Sequence, residues 1–288
     1  MELKVTQSQA EGGVGLVRLN RPDRGNSWTH RMNAEYRWLL KSHDENPDVR
    51  VIVVTGAGRQ FCVGADVRAL EHHQDSQQGY EKDHAQAARE QEMAEPGHGV
   101  DPEFDHELVW HWGLSKPVIC AVNGACAGIA VALAAFCDLR YAVAGAKFTT
   151  ATPKLGLPAE YGLSWVLPRL VGLAPAVDIL FTGRVVLAEE MRALGFLHGV
   201  LPAEGFEEQV LARAKEMAAT ISPAAVRAAK RQVYAEQLHL QPGRSVEDAR
   251  RLTGELLKHP DCREGVAAMQ AKRPPVFAPL EPRAVSPS

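Results

Sequence analysis

The sequence predicts an α/β fold with short parallel strands, and three observations support this prediction. Segments with strand character alternate twice with segments of helical spacing in the first half of the chain. The strand segments are short and rich in β-branched residues, as in "VRVIVVTGAG", which is typical of strands buried on both faces of a sheet. Amphipathic helices dominate the remainder. This order of elements favours an α/β architecture.

The first strand–helix–strand unit opens with "VGLVRLN", which alternates in polarity and is ended by "RPDRGNS". The segment "WTHRMNAEYRWLLKSHDENP" has helical spacing and is predicted to end before Pro47. Its apolar residues fall on one side of the helix: Met32, Tyr36, Leu39 and Leu40. The second strand is "VRVIVVTGAG", which glycines end.

The second unit runs from "KPVICAVNG" through a helix of small residues to "LRYAVAGAKFTT". An Asn-Gly turn at Asn123 and Gly124 opens the middle part, and Gly128 is the last flexible point before "IAVALAAF". The stretch carries almost no polar side chain. Taken alone, it is explained by a tightly packed core helix, because Ala, Gly and Cys allow close backbone approach.

Residues 67–113 are rich in Gln, His and Glu, and they predict a polar helix followed by a mobile loop. Glu103 and His106 form one Glu-x-x-His pair, but metal sites of that type need two copies and further acids. We therefore interpret the histidines as solvated surface residues. They are His72, His73, His84, His98, His106 and His111. The segment from residue 202 onward predicts amphipathic helices and a Pro-rich tail with a disordered end.

Composition narrows the function classes. The 32 basic and 35 acidic residues leave a formal charge of -3, and no Lys-rich helix is present, which argues against a nucleic-acid binder. The N-terminus lacks the order of a signal peptide, and the longest apolar stretch is too short for a bilayer, so we expect a cytoplasmic protein. Five cysteines without a C-x-x-C pair predict neither disulfides nor zinc, and we interpret most of them as buried apolar residues.

Two glycine-containing loops could bind an anion. In "GRQFCVGADVRAL" a helix is predicted to start near Asp66, which would leave the N–H groups around Ala65 without helical partners. A strand-to-helix turn also needs glycine for steric reasons alone. In the second loop, a helix that starts after Gly128 would present the N–H of Ile129 at its positive end.

A third segment, "PKLGLPAEYGLSWVLPRLVG", places Glu160 among apolar residues. If the segment faces inward, burial would raise the pKa of this carboxyl group into the range useful for proton transfer. An exposed loop or a helix-capping glutamate is the alternative interpretation.

Four motifs taken together resemble, in order and spacing, the enoyl-CoA hydratase/isomerase (crotonase) family over roughly residues 5–275. They are "FCVGADVRAL", "KPVICAVNGACAGIAVALAAFCDLRYA", "LGLPAEYGLSWVLPRLVG" and "ILFTGRVVLAEEMRALGFLHGVLP". The resemblance implies a spiral core of ββα units over residues 1–205, which binds acyl-CoA and carries catalysis. It also implies a helical region over residues 206–288 that packs between subunits of a homotrimer or a dimer of trimers.

The resemblance further implies an oxyanion hole for a thioester, formed by the backbone N–H groups of Ala65 and Ile129, with Gly64 and Gly128 preceding them. Preorganised donors of this kind stabilise the enolate that forms when a proton leaves the carbon next to the carbonyl. Since the donors belong to the main chain, the side chains can be small and apolar. Ile129 replaces a glycine usual in the family and should narrow the pocket.

Family hydratases use two glutamates, and the matching positions here are Ala132 and Thr152, which do not ionise. Glu160 matches a position at which single-carboxylate isomerases carry their acid. The sequence therefore favours double-bond isomerisation of an enoyl-CoA with Glu160 as base and acid. Hydration by Glu160 alone on an unusual substrate and non-catalytic acyl-CoA binding remain alternatives. Dehalogenation is not favoured, because the chain has no evident match for the aromatic residue and the histidine that dehalogenases of the family use.

By the same resemblance, further residues are expected to contact the CoA or the thioester. Gly64, Asp66 and Gly128 belong to the loop motifs, and Arg24 and Arg68 match basic positions near the phosphates. Lys272 and Phe277 match a C-terminal segment that covers the adenine. No metal and no cofactor beyond the CoA of the substrate is expected. Residues 67–113 should line the acyl end of the pocket.

Overall fold

The computed structural model describes residues 4–10, 12–66, 100–238 and 242–280. Within them, six strands form one sheet in the order β1-β2-β3-β4-β6-β9, and three short strands form a second sheet. The strands are β1 (Val5–Ala10), β2 (Val14–Leu19), β3 (Val51–Gly56), β4 (Val118–Val122), β5 (Cys126–Ala127), β6 (Leu139–Val143), β7 (Lys147–Thr149), β8 (Val186–Leu187) and β9 (Gly199–Leu201). In the larger sheet, β1 runs antiparallel to β2 and every other pair is parallel, which confirms the predicted α/β class.

Helices cover both faces of this sheet and form the C-terminal part of the described chain. They are α1 (His30–Glu45), α2 (Trp110–Gly113), α3 (Ile129–Phe136), α4 (Leu163–Val171), α5 (Leu173–Thr182), α6 (Ala188–Ala193), α7 (Phe206–Thr220), α8 (Pro223–Glu236), α9 (Pro242–Leu256) and α10 (Pro260–Ala271). Short 3-10 turns lie at Pro22–Arg24, Pro102–Phe104 and Thr152–Leu155. None of the helices described is long and apolar enough to cross a bilayer.

The first strand–helix–strand unit forms as predicted, with one difference. All four apolar residues predicted on one side of α1 are buried, and the Thr29 hydroxyl caps the helix by accepting the Met32 N–H at 3.2 Å. Strand β2 alternates in sequence but is buried on both faces, because α1 packs on one face of the sheet and α7 on the other. Only Arg18 of this strand is half-exposed.

The prediction that the histidines lie on the surface is wrong for His111, which is fully buried. Its ring stacks on Trp110 at a centroid distance of 4.1 Å, its Nδ1 bonds the Leu108 carbonyl, and its Nε2 lies 2.7 Å from the Tyr36 hydroxyl. Burial lowers the pKa of His111 to about 3, so the ring is neutral and structural. His106 is exposed as predicted, whereas His72, His73, His84 and His98 fall outside the described residues.

Helix α8 is attached to the sheet through Asp138, at the start of β6. The Asp138 carboxylate accepts the Val118 N–H at 2.6 Å, the Lys230 ammonium at 2.7 Å and the Tyr234 hydroxyl at 2.8 Å. The Tyr234 ring also stacks on Trp112 at 4.5 Å, with 7° between the planes. These contacts hold α8 against the sheet. The domain boundary at 205/206 stays a prediction, and the tail from residue 281 lies outside the described residues.

Candidate active site

The two glycine-containing loops are aligned side by side by a pair of buried cysteines. Cys62 and Cys126 form an isolated parallel β-bridge. In it the Cys62 N–H donates to the Ala125 carbonyl, and the Ala127 N–H donates to the Cys62 carbonyl, both at 3.0 Å. The two loops therefore leave the bridge in the same direction and in register. Like Cys120 and Cys137, both cysteines are buried thiols, as the sequence predicted.

Ala65 lies three residues beyond Cys62, and its orientation is set by Trp28. The Trp28 N–H donates to the Gly64 carbonyl at 2.7 Å, and the Asp66 N–H donates to the Trp28 carbonyl at 2.9 Å. Because successive N–H groups of an extended segment point to opposite sides, the Ala65 N–H points away from Trp28. It donates no hydrogen bond to any residue that the structure describes.

Ile129 lies three residues beyond Cys126, at the first position of α3. Gly128 precedes it with φ +54° and ψ -123°, and the Gly128 N–H donates to the Thr149 carbonyl at 2.9 Å. The Ile129 N–H has no intrahelical partner and donates no hydrogen bond within the described ranges. The Ile129 side chain is only 3% exposed and belongs to the core.

The two glycines bring these donors into the same neighbourhood. A Cβ atom placed on Gly128 would lie 3.7 Å from the Gly64 Cα, and one placed on Gly64 would lie 3.4 Å from the Ala127 carbonyl oxygen. Two main-chain N–H groups without a partner among the described residues thus come from adjacent loops, one of them at a helix N-terminus. Such an arrangement suits an oxygen that carries or develops negative charge.

The two positions that match the glutamates of family hydratases hold buried residues without a carboxyl group. Ala132 lies within α3 and is fully buried. Thr152 begins the 3-10 turn after β7 and is 3% exposed, and its hydroxyl oxygen has no hydrogen-bond partner in the described part of the chain. Neither residue supplies a carboxyl group to the site.

Glu160 is half-buried, and burial raises the pKa of its carboxyl group. The side chain makes no hydrogen bond or ion pair with the described residues, and it caps no helix because Gly162 is the N-cap of α4. The capping interpretation is therefore wrong, whereas Glu160 does lie in a loop, half-buried itself and preceded by the exposed residues 154–158. Tyr161 and Gly162 both adopt positive φ, and a Cβ atom on Gly162 would lie 3.2 Å from Phe136 at the end of α3.

The residues expected to contact CoA have different surroundings. Arg24 is exposed, with the Asp23 carboxylate 3.8 Å away. Asp66 is held in place, since its carboxylate accepts the Arg21 guanidinium and the Ser27 hydroxyl, each at 3.0 Å. Arg68 lies outside the described residues, as does the helix predicted to start near Asp66.

Lys272 and Phe277 lie at and beyond the end of α10. Lys272 is exposed and ends the helix with φ +51°. The Phe277 ring is buried within the chain, near Gly265, and its carbonyl accepts a hydrogen bond from the Arg50 guanidinium. Arg50 directly precedes β3, whereas the loop that carries Ala65 follows the other end of that strand. Phe277 is thus bonded to the end of the sheet opposite that loop.

Two features of this region were not predicted from the sequence. Arg140 is buried, and its guanidinium donates to the carbonyls of Ala135, Cys137 and Phe196, so a cation lies at the C-terminal end of α3. In the sequence, the only feature that indicates this cation is the Arg of "FCDLR", four residues after the end of the helix. The second feature is Glu107, in contact with the α1 residues Asn33 and Arg37 rather than with the three loops, where burial raises the pKa of the carboxyl group against the effect of Arg37.

Comparisons with known proteins agree with the four motifs. The family model described as enoyl-CoA hydratase/isomerase matches residues 9–279. The chain is 34% identical over 278 residues to 1,2-epoxyphenylacetyl-CoA isomerase of Escherichia coli, covering 94% of this chain and 97% of that protein. It is 33% identical to a probable enoyl-CoA hydratase of Rhodobacter capsulatus, covering 92% and 94%. A crystal structure of an enoyl-CoA hydratase from Polaromonas superposes with a TM-score of 0.82 at 25% identity, covering 95% and 99%.

Proposed function

The chain belongs to the enoyl-CoA hydratase/isomerase family, a family of enzymes, and on that premise we propose that it moves the double bond of an enoyl-CoA thioester. The observation that carries this proposal is the distribution of carboxyl groups. Both hydratase positions lack an acid, whereas Glu160 is half-buried, has a raised pKa and has no partner among the described residues. One carboxyl group suffices for isomerisation.

In the proposed mechanism the thioester oxygen accepts hydrogen bonds from the Ala65 and Ile129 N–H groups. Removal of a proton from the carbon next to the carbonyl moves negative charge onto this oxygen. Donors that are already fixed in place stabilise this charge more than they stabilise the ground state, and one donor is typically worth about 3 kcal/mol. Two features support such preorganisation: the backbone β-bridge between residues Cys62 and Cys126, and the Arg140 guanidinium at the C-terminal end of α3.

Glu160 carries the proton between carbons. As a carboxylate, it takes a proton from C2 of a 3-enoyl-CoA, and the enolate delocalises over C2 to C4. The protonated Glu160 then returns the proton to C4, and the 2-enoyl-CoA forms with no net change in composition. A raised pKa suits both steps, because the group must first accept and then release the proton.

Glu160→Gln tests the proposal. We expect the rate of conversion of 3-hexenoyl-CoA to 2-hexenoyl-CoA to fall by a factor of about a thousand, the range typical for loss of a general acid/base. Glu216→Gln, a change at an exposed carboxylate on α7, is the control and should keep full activity. Full activity of Glu160→Gln would refute the proposed role.

Hydration is the second candidate function, and the relative named a probable enoyl-CoA hydratase supports it. Mass spectrometry of products formed in deuterated solvent separates the candidates. Isomerisation gives deuterium exchange without addition of water, whereas hydration gives a 3-hydroxyacyl-CoA. Tight binding of CoA thioesters without turnover across a substrate panel would instead favour a binding protein that has lost catalysis.

The remaining expectations are part of the same proposal. The thioester supplies the acidity and the backbone supplies the electrophile, so the chemistry requires no separate cofactor. Arg24, Arg68 and Lys272 are proposed to contact the CoA, and Phe277 is proposed to contact the CoA of a neighbouring subunit, because within its own chain it lies at the end of the sheet opposite the Ala65 loop. The protein is proposed to be cytoplasmic.

A homo-oligomer, as trimer or dimer of trimers, is also proposed. Supporting evidence comes from one face of α5, where Leu173, Val177 and Phe181 follow one another at four-residue spacing and are 70%, 38% and 75% exposed. Apolar side chains at i, i+4 and i+8 form a continuous stripe, and a stripe of this kind left uncovered is typical of an interface. We propose a second copy of this chain as its partner.

A further inference from the structure

The loop that carries Glu160 enters α4 through a tight turn. The Leu163 N–H donates to the Glu160 carbonyl at 3.0 Å, and the two residues between them, Tyr161 and Gly162, have φ values of +52° and +73°. A four-residue turn with this hydrogen bond and two positive φ values is a type I′ turn. Its geometry fixes the direction in which the chain passes from Glu160 into the helix.

Tyrosine is an unfavourable residue for the first central position of this turn. Left-handed backbone is an outlier for residues with a bulky side chain, whereas Gly, Asn and Asp adopt it readily. Tyr161 nevertheless adopts it, and its half-buried side chain packs against the core. Strained backbone persists only where the surrounding structure holds it, and it is concentrated at functional sites.

Contacts on the helix side hold the turn in place. Gly162 is the N-cap of α4, and its carbonyl accepts the Trp165 and Val166 N–H groups at 3.0 Å each. A Cβ atom on Gly162 would lie 3.2 Å from the ring of Phe136, the last residue of α3. The turn is therefore packed against the helix whose first residue is Ile129, one of the two proposed oxyanion donors.

The Glu160 carboxyl group has no polar anchor of its own in the described chain. It makes no hydrogen bond or ion pair there, and burial is the cause of its raised pKa. The Asp66 carboxylate shows the contrast, since Arg21 and Ser27 hold it at 3.0 Å each. Without such partners, the direction of a side chain is set by its backbone and its packing. For Glu160 that backbone is the turn.

We propose that Tyr161 is a positioning residue for the proton transfer, and that its left-handed backbone directs the Glu160 carboxyl group toward the reacting carbons. With an ordinary negative φ at residue 161, the chain would enter α4 from another direction, and the Glu160 side chain would turn with it. A displacement of about 1 Å costs roughly a hundredfold in rate. This inference rests on the proposed function, in which Glu160 carries the proton.

Two substitutions that both remove the ring separate the effect of the backbone from that of the side chain. Tyr161→Asn gives the Asn-Gly pair that type I′ turns favour, whereas Tyr161→Val introduces a β-branched residue that disfavours positive φ. Tyr161→Phe keeps the ring and removes only the hydroxyl group. Gly145→Val, at φ +74° in open space between β6 and β7, is the control for strain elsewhere. The measured quantities are kcat and KM for the isomerisation of 3-hexenoyl-CoA over the acid range of pH.

We expect Tyr161→Asn and Tyr161→Phe to keep most of the wild-type kcat. Tyr161→Val should lower kcat about a hundredfold with little change in KM, because it displaces the base and not the groups that bind the substrate. The acidic limb of kcat/KM should also move down toward 4.5, the ordinary glutamate pKa, because water reaches a displaced carboxyl group. Gly145→Val should keep the wild-type kcat and acidic limb.

Equal kcat values for Tyr161→Val and Tyr161→Asn would overturn the inference, whether both variants stay active or both lose activity. An equal loss in Gly145→Val would overturn it as well, since strain anywhere in the chain would then suffice. If circular dichroism shows that Tyr161→Val does not fold, Tyr161→Ala replaces it, because alanine also disfavours positive φ. A wild type that leaves 3-hexenoyl-CoA unchanged would refute the proposed function itself, so the two failures are distinguishable.

Discussion

At the scale of single residues, the apolar setting of Glu160 raises the pKa of its carboxyl group, as the proposed proton transfer requires. Its neighbours Ala159, Tyr161 and Trp165 pack against the core, and the side chain has no cation beside it in the described chain. Desolvation is the cause of the raised pKa. In contrast, the Asp66 carboxylate is bonded to Arg21 and Ser27 and is held as a structural anion.

The direction of this shift predicts the pH dependence of isomerisation. The reaction begins with unprotonated Glu160, so kcat/KM should fall as the pH decreases through the raised pKa. The acidic limb should lie above the ordinary glutamate pKa of 4.5. Steady-state rates on a 3-enoyl-CoA over the acid range measure this limb, with stability checked at each pH. A limb at or below 4.5 would contradict the role of Glu160.

At the scale of elements, the short helix α3 contributes to the proposed site through its two ends. Its N-terminus presents the Ile129 N–H after Gly128, and its C-terminal carbonyls accept the Arg140 guanidinium. The helix between them consists of small and apolar side chains, all buried. In the proposed mechanism a stretch with almost no polar side chain can still take part in catalysis, because the polar groups it contributes are main-chain N–H groups.

Gly128→Ala should impair the proposed oxyanion hole more than the fold. The φ of +54° is unfavourable for alanine, at a cost of about 1–3 kcal/mol, although the nearest atom to the new Cβ would be 3.7 Å away. Relief of the strain would rotate the Ile129 N–H, so we expect kcat to fall at least tenfold. Gly145→Ala, at φ +74° in open space, is the control for strain alone. Equal kcat in both variants would argue against this role of Gly128.

At the scale of the whole molecule, a buried charge pair attaches helix α8 to the sheet. The Lys230 and Asp138 side chains are 5% and 13% exposed and 2.7 Å apart. Lys230→Met would leave the Asp138 carboxylate buried without its cation, and removing one partner of a buried pair costs about 3–5 kcal/mol. Urea denaturation should show this loss in the free energy of unfolding. Lys258→Met, at an exposed position, should leave it unchanged, and a similar value for both variants would contradict the prediction.

The proposed oligomer depends on the stripe along α5. Phe181→Glu places a charge on its most exposed residue, and burying an unpaired charge in an apolar interface is costly. We expect the variant to sediment as a smaller species than the wild type in analytical ultracentrifugation. Trp38→Glu, a charge introduced at a half-exposed tryptophan on α1, should sediment like the wild type. Unchanged sedimentation of Phe181→Glu would exclude this stripe from the interface.

The sequence by itself determined the α/β class, the first strand–helix–strand unit and the buried cysteines, and it predicted the three loops of the candidate site. These follow from local periodicity, turn residues and family motifs, which are properties of neighbouring residues in the chain. Only the tertiary structure decided that His111 is buried, that β2 is covered on both faces, and that Trp28 lies beside Ala65. Such facts depend on contacts between residues far apart in sequence, which place a group in water or in the core, and no local pattern records them.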